Sequence, residues 1–179
     1  SVGRLHRTFA DDAGEAGTAT GEATMVFYGD GTSSQGDPNE AMVFAASYQT
    51  PEVFVVQNNG FGISVPVSEQ SANAVVSENY KGLKNLLIVN VDGTDHFDCH
   101  RGMQEAIEYI KTGEGPVLLH AQCVRIGAHS NSDNHLLYRD EEERAAAAAQ
   151  DPVARLRATI IAEGVATEEE LQAIEGENQ

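Results

Sequence analysis

Short apolar runs alternate along this chain with stretches whose apolar positions recur at helical spacing. Residues 24–28 (TMVFY) and 52–57 (EVFVVQ) have strand length and end at turn-forming residues, which predicts two buried strands. Between them Ala41, Met42, Ala45 and Ala46 form an apolar stripe, Pro38 suits a first helical turn, and Asp37 or Asn39 is placed to cap it. Residues 86–91 (LLIVNV) predict a third strand, followed by a helix over about 97–112 with Met103, Ile107 and Ile110 on one face. Gly113 and Gly115 end that helix, Pro116 opens a fourth strand over 117–124, and 125–140 is a long polar loop. Helical stretches follow at 141–149, 152–163 and 168–174. Strands alternating with helices predict an α/β fold, a doubly wound and mostly parallel sheet flanked by helices. Residues 8–23 have no clear period, so the expected organisation is a leader over 1–23 and one domain over 24–179.

Composition narrows the function classes. At 179 residues the chain is long enough for one sizeable core. Its apolar runs fall far short of the roughly 20 residues that span a bilayer, so a soluble protein with no membrane partner is expected. Eleven Lys and Arg against 28 Asp and Glu give a net charge of -17, which repels a polyanion and argues against nucleic acid as a partner. The plain reading of that acidity is solubility; a basic partner surface is the other. Cys99 and Cys123 fall on a helix start and a buried strand without a Cys-x-x-Cys pair, which fits a reducing, cytoplasmic location. The chain begins at Ser1 rather than Met, as a trimmed product or a fragment would.

The predicted topology brings two loops together. In a parallel strand-helix-strand unit both strands finish at one edge of the sheet, and ligands bind outside that carboxyl edge. The first loop there is Gly29-Asp30-Gly31-Thr32, and the second is Asn58-Asn59-Gly60-Phe61-Gly62. Asp30 offers a carboxylate and Asn59 an amide oxygen, both hard ligands acceptable to magnesium, yet two side chains leave most of an octahedron open. Phosphate oxygens would fill it, with Gly31 and Thr32 offering main-chain N–H groups near a helix start. Either loop alone is an ordinary turn composition. Together, with 26 residues between Gly31 and Asn58 and a strand-helix-strand pattern in the gap, they point to a phosphorylated cofactor held through a metal.

GDG followed by NN at this distance resembles the thiamine diphosphate motif, and the run YGDGTSSQGDPNEAMVFAASYQTPEVFVVQNNGFGISVPVSEQ resembles the alpha part of 2-oxo acid dehydrogenases. The segment VDGTDHFDCHRGMQEAIEYIKTGEGPVLLHAQCVRIGAHSNSDNHLLYRDEEE extends the likeness, which covers roughly residues 24–174. The resemblance implies thiamine diphosphate and Mg2+ as cofactors. It assigns the metal to Asp30, Asn59 and the Phe61 carbonyl, and the diphosphate to Gly29, Gly31 and Thr32. His129, before Ser-x-Ser-Asp, takes the role of a catalytic donor near the cofactor ring. Arg125 becomes a candidate for a substrate carboxylate or for loop ordering, and Ser130 and Ser132 fall where the family carries a phosphorylation loop. The implied reaction is decarboxylation of a 2-oxo acid with acyl transfer to a lipoyl group, in a multienzyme complex with a beta part and a lipoyl acyltransferase as partners.

Several positions depart from the family pattern. Cys123-Val124 stands where Thr-Tyr is common, Phe61 replaces a frequent tyrosine, and His120 occupies a position often held by glutamate. The wording LLHAQCVRIGAHSNSDNHLLY is similar to forms with alpha and beta parts fused in one polypeptide. The glutamate that activates the cofactor comes, in the family, from the beta part, so the chain alone is expected to be inactive and to bind cofactor weakly. Two further readings stand beside this one: a transketolase-like half, which shares GDG and NN, and a non-catalytic assembly fragment.

Overall fold

The computed structural model describes residues 23–177. The expected leader, apart from Ala23, lies outside the described residues. Four parallel strands form the central sheet: β1 (Thr24–Gly29), β2 (Glu52–Asn58), β5 (Leu87–Asp92) and β6 (Val117–Gln122), in the order β1-β2-β6-β5. Helix α1 (Gly36–Tyr48) joins β1 to β2, and α3 (His96–Thr112) joins β5 to β6. After β2 the chain makes a small antiparallel hairpin, β3 (Phe61–Gly62) with β4 (Val65–Pro66), and one helical turn, α2 (Val67–Gln70). Three helices close the described chain: α4 (Glu141–Ala148), α5 (Pro152–Ala162) and α6 (Glu168–Glu177).

The sheet is covered on both faces. On one, Val53, Val55, Val89, Val91, Val117, Leu119 and Ala121 pack against Ala106 and Ile110 of α3. On the other, Phe54, Val56 and Leu118 meet Met42 and Ala45 of α1, together with Val76 and Tyr80. The strand order explains this. The β1-to-β2 connection steps one way across the sheet and the β5-to-β6 connection steps back, so crossovers of one hand put their helices on opposite faces. Direction reverses between β2 and β6, and the crevice at their carboxyl ends is where an open α/β sheet accepts a ligand.

Sequence expectations hold for the fold class and for every strand and long helix, with boundaries moving by up to three residues, the largest shift being the end of α6 at Glu177 rather than at 174. Five details differ. Among the described residues the run 24–28 is an edge strand, paired only with β2, and its Met25, Val26 and Phe27 are exposed, Phe27 by 59%. Neither Asp37 nor Asn39 caps α1; the cap position is Gln35, and Asn39 instead donates to the carbonyls of Gln35 and Ser33 from inside the first turn. The buried line of α3 is Gly102, Ala106 and Ile110, while Ile107 faces outward. β6 stops at Gln122, leaving Cys123 just past its end. Val76 and Tyr80, on a 3-10 turn (Val76–Tyr80) with no periodic signal, supply core that the apolar pattern does not announce.

Gly102 shows how tightly α3 seats on the sheet. A Cβ there would lie 2.3 Å from Val91 Cγ1 and 3.3 Å from Val89 Cγ1, both on stiff β-branched side chains in strand β5. Gly102→Ala gains about 1 kcal/mol of helix propensity, but overpacking of this kind typically costs about 1–3 kcal/mol. A net loss is expected, read as a lower urea midpoint at unchanged slope; a raised midpoint would show that α3 can lift without penalty.

Candidate functional site

β1 and β2 pair in parallel with Gly29 opposite Gln57, so the next residues of both strands emerge side by side at the carboxyl edge. The main-chain N–H of Asn59 donates to Asp30 Oδ1 at 3.3 Å, which joins the two loops directly. Asn58 and Asn59 each fold the chain back on themselves: Asn58 Oδ1 accepts from the Gly60 N–H at 3.1 Å, and Asn59 Oδ1 from the Phe61 N–H at 3.2 Å. Gly60 takes φ +84 between these turns, a conformation that favours glycine. The loops also touch through glycine. A Cβ on Gly31 would come within 3.0 Å of the Gly62 Cα, and one on Gly62 within 2.7 Å of Gln70 Oε1.

Asp30 is buried, 1% exposed, and its Oδ2 has no hydrogen-bond partner among the described residues. Burial pushes its carboxyl above the usual carboxylate range; the Asn59 N–H and the charge of Arg125 pull the other way without reversing it. An ionised carboxylate with one oxygen unpartnered inside the protein is costly, and a divalent cation would remove that cost. Among the described residues no three His, Cys, Asp or Glu side chains gather at a metal-binding distance. The protein's share of a site here is therefore one carboxylate with amide and carbonyl oxygens, a donor set that suits magnesium completed by phosphate.

Of the diphosphate candidates, Gly29 closes β1, while Gly31 and Thr32 lead into a 3-10 turn (Thr32–Ser34). This turn holds its own geometry, with Ser33 N–H bonded to the Asp30 carbonyl at 3.0 Å and Gln35 N–H to the Thr32 carbonyl at 2.9 Å. α1 begins at Gly36, so Gly31 and Thr32 stand on the approach to the helix, as expected, with one 3-10 turn between them and its start.

Segment 125–139 carries the remaining candidates and is tied down by a network that sequence reasoning missed. Tyr138 is its hub: its hydroxyl donates to Asp133 Oδ2 at 2.5 Å and accepts from Arg125 Nη2 at 2.8 Å. Asp133 Oδ2 also accepts the main-chain N–H of His129 at 2.8 Å, which fixes the backbone there while the ring stays exposed. These bonds hold the Asp133 carboxyl below its usual range, the Tyr138 hydroxyl first and the His129 N–H next. Buried Arg139 donates to the Arg125 carbonyl at 2.7 Å. The guanidinium groups of Arg125 and Arg139 lie 5.2 and 5.5 Å from the Phe61 ring centroid, so cation–π contacts dock this segment on the Asn59 loop. Arg125 Nε and Nη1 are buried, with no hydrogen-bond partner among the described residues. Ser130 and Ser132 lie exposed, with hydroxyls 3.2 Å apart. The structure thus brings Asp30, Asn59, Phe61 and Arg125 together and joins His129 to them through the Asp133–Tyr138–Arg125 relay. No periodicity or spacing marks Tyr138, Asp133 or Arg139; only their partners in space identify them.

A family model described as dehydrogenase E1 component matches residues 10–179. This chain belongs to that family. It is 39% identical over 142 residues to the alpha subunit of 3-methyl-2-oxobutanoate dehydrogenase from Mycobacterium tuberculosis, covering 79% of this chain and 38% of that protein. Similarity to the pyruvate dehydrogenase E1 component subunit alpha of Acholeplasma laidlawii is 35% over 160 residues, 88% of this chain and 46% of the relative. The 2-oxoisovalerate dehydrogenase subunit alpha of Bacillus subtilis is 34% identical over 147 residues, 82% and 44% of the two chains. All three are alpha subunits, and the chain is accordingly an alpha-type member that spans less than half the length of each.

The buried carboxylate makes a signed prediction. Because Asp30 is raised in the folded state, ionising it disfavours folding, and its contribution to stability is lost as pH rises through its folded-state value. Metal-free Asp30→Asn should therefore be more stable than the unsubstituted chain at neutral pH, with the gap closing in acid, as thermal melts across pH would show. A stability gap independent of pH would mean that Asp30 carries no desolvation penalty.

Tyr138→Phe removes the hub hydroxyl and keeps the ring beside Phe61. Limited proteolysis is expected to cut within 125–139 several-fold faster, with the sheet's amide exchange unchanged, since exposed polar links are what restrains such a loop.

Proposed function

We propose that this chain is the thiamine-diphosphate-binding portion, residues 24–179, of the alpha part of a 2-oxo acid dehydrogenase. The reaction is magnesium-dependent decarboxylation of a 2-oxo acid followed by acyl transfer to a lipoyl group. The observation that carries this reading is the unpartnered, buried Asp30 Oδ2 next to Asn59 at the sheet's reversal point, in a chain of this family.

When bound, the cofactor supplies the carbon nucleophile and electron sink that decarboxylation needs. The protein's part is to hold and orient. Asp30, Asn59 and the Phe61 carbonyl would ligate the Mg2+, while Gly29, Gly31 and Thr32 let the diphosphate approach the main chain closely. Arg125, with two buried N–H groups unsatisfied, would add positive charge facing an anion, either phosphate or substrate carboxylate. His129, on a backbone fixed by Asp133, would present a proton donor at the mouth of the site. Ser130 next to it is a candidate for modification of the loop. A beta part, as separate subunit or in the same polypeptide, would supply the activating carboxylate, and a lipoyl acyltransferase would take the product, in the cytoplasm. Among the described residues no helix is long and apolar enough to cross a membrane.

Calorimetry with thiamine diphosphate and Mg2+ tests the reading. Asp30→Ala should weaken metal-dependent binding by more than the about 10–100-fold that outer partners of metal ligands typically contribute, with a smaller loss for Asn59→Ala. Tight binding that ignores Mg2+, or an unaffected Asp30→Ala, would sink the metal assignment. With the beta part added, turnover of branched-chain 2-oxo acids or pyruvate is expected; turnover of sugar phosphates instead would favour the transketolase-like reading.

A further inference from the structure

One buried polar group in the sheet has no part in the site described so far. His120 lies mid-strand in β6, in the otherwise apolar run Val117–Ala121, and is only 3% exposed. It is in register with Val56 of β2 and Asn90 of β5, and Asn90 Oδ1 in turn accepts from the Ser77 hydroxyl at 2.8 Å. An imidazole in such a place is disfavoured unless its ring nitrogens are bonded. Its partner is Asn58: Nε2 lies 3.0 Å from Asn58 Nδ2.

The proton's position in this contact follows from the main chain. Asn58 Oδ1 accepts from the Gly60 N–H, which can only donate, and Asn58 Nδ2 donates to the Ala74 carbonyl at 2.8 Å, which can only accept. Both fix the same amide orientation, so the second Nδ2 hydrogen points at His120 and Nε2 must be the acceptor. The ring is then neutral with its hydrogen on Nδ1. Burial pushes His120 in this direction, and Glu78, the acidic group facing it, opposes only in part.

We infer that His120 is a positioning residue, whose Nε2 holds the Asn58 amide so that its oxygen keeps Gly60, and with it the loop bearing Asn59 and the Phe61 carbonyl, in ligand-ready shape. This rests on the proposed cofactor reading for its purpose, but its geometry stands without it. Every other polar group of Asn58 is already engaged: its carbonyl accepts from Cys123 N–H at 2.8 Å and from Gln122 Nε2 at 3.1 Å. Removing the acceptor leaves a buried N–H unsatisfied, and an amide that turns to find a new partner releases Gly60. Asn58, the first of the two asparagines, is thus joined to the centre of the sheet, and the second, whose Oδ1 accepts the Phe61 N–H, keeps a further lone pair for a ligand.

The test uses the full-length protein and three forms: unsubstituted, His120→Leu, which fills space without an acceptor, and His120→Gln, whose Oε1 is as many bonds from Cβ as Nε2. Hydrogen exchange of the Gly60 and Phe61 amides is one readout, and the Mg2+ concentration that half-saturates thiamine diphosphate binding is the other. His120→Leu should speed Gly60 exchange about tenfold and raise the Mg2+ requirement, with β5 amides unmoved, and His120→Gln should restore both. Gly60 exchange unchanged in His120→Leu, or as fast in His120→Gln, overturns the inference. If His120→Leu does not fold, the ring's 15N spectrum in the unsubstituted protein decides. An unprotonated Nε2 at neutral pH supports the role, and a protonated one refutes it. Loss of Mg2+ dependence in the unsubstituted protein would defeat the cofactor reading alone, provided that Gly60 still loosens in His120→Leu.

Discussion

The parallel pairing of β1 with β2 is the constraint from which the site follows. It delivers Asp30 and Asn59 to one edge in adjacent positions, and the Asn59 N–H then binds the Asp30 carboxylate. That bond satisfies one oxygen of a buried carboxylate, while the other has no hydrogen-bond partner among the described residues. A site that were fully satisfied internally would be more stable and would have nothing left to offer a cation. A cation bound there, as proposed, would relieve the desolvation that raises Asp30.

Around this point the molecule is organised in two tiers of support. Behind the Asn59 loop, the sheet itself provides the brace: Asn58 is bonded to the main chain of Ala74 and Gly60, to Cys123 and to His120. In front of it, segment 125–139 is fastened by exposed or half-exposed polar contacts and by the arginine contacts with Phe61. The energies differ accordingly. Bonds made in the interior are expensive to break, whereas individual surface pairs contribute about 1 kcal/mol or less. The back of the site is therefore rigid, and the segment bearing His129 is the part free to adjust. A similar surface latch, Arg155 to Asp92 and Asp95 at 2.7 Å each, ties α5 to the end of β5 and the loop that follows it.

Much of this was legible in the sequence, and the reason is local. Strand length, helical spacing and glycine punctuation are properties of a few neighbouring residues, so β2, β5, α3 and the closing helices appear within three residues of where the pattern predicts them. The GDG and NNG loops, each an ordinary turn composition alone, were legible as a pair because the strand-helix-strand pattern between them brings both to one edge of the sheet. Burial was less readable. Residues 24–28 have the composition of an interior strand, yet β1 lies at the edge, since exposure depends on which strands flank it. The N-cap position of α1 falls on Gln35, which makes no side-chain cap bond, directly after the 3-10 turn that precedes the helix.

What the sequence determined by itself is the set of elements, the α/β class and the chemical identity of the two loops, because each is written in contiguous residues. Tertiary structure alone decided that β6 lies between β2 and β5, which sets the reversal point beside Asn58 and brings His120 to its amide. It also decided that Tyr138, Asp133 and Arg125 converge and that Arg139 reaches Phe61. Such contacts join residues up to 78 positions apart, as 61 and 139 are, and their pairing is fixed by the packing of whole layers rather than by any local preference.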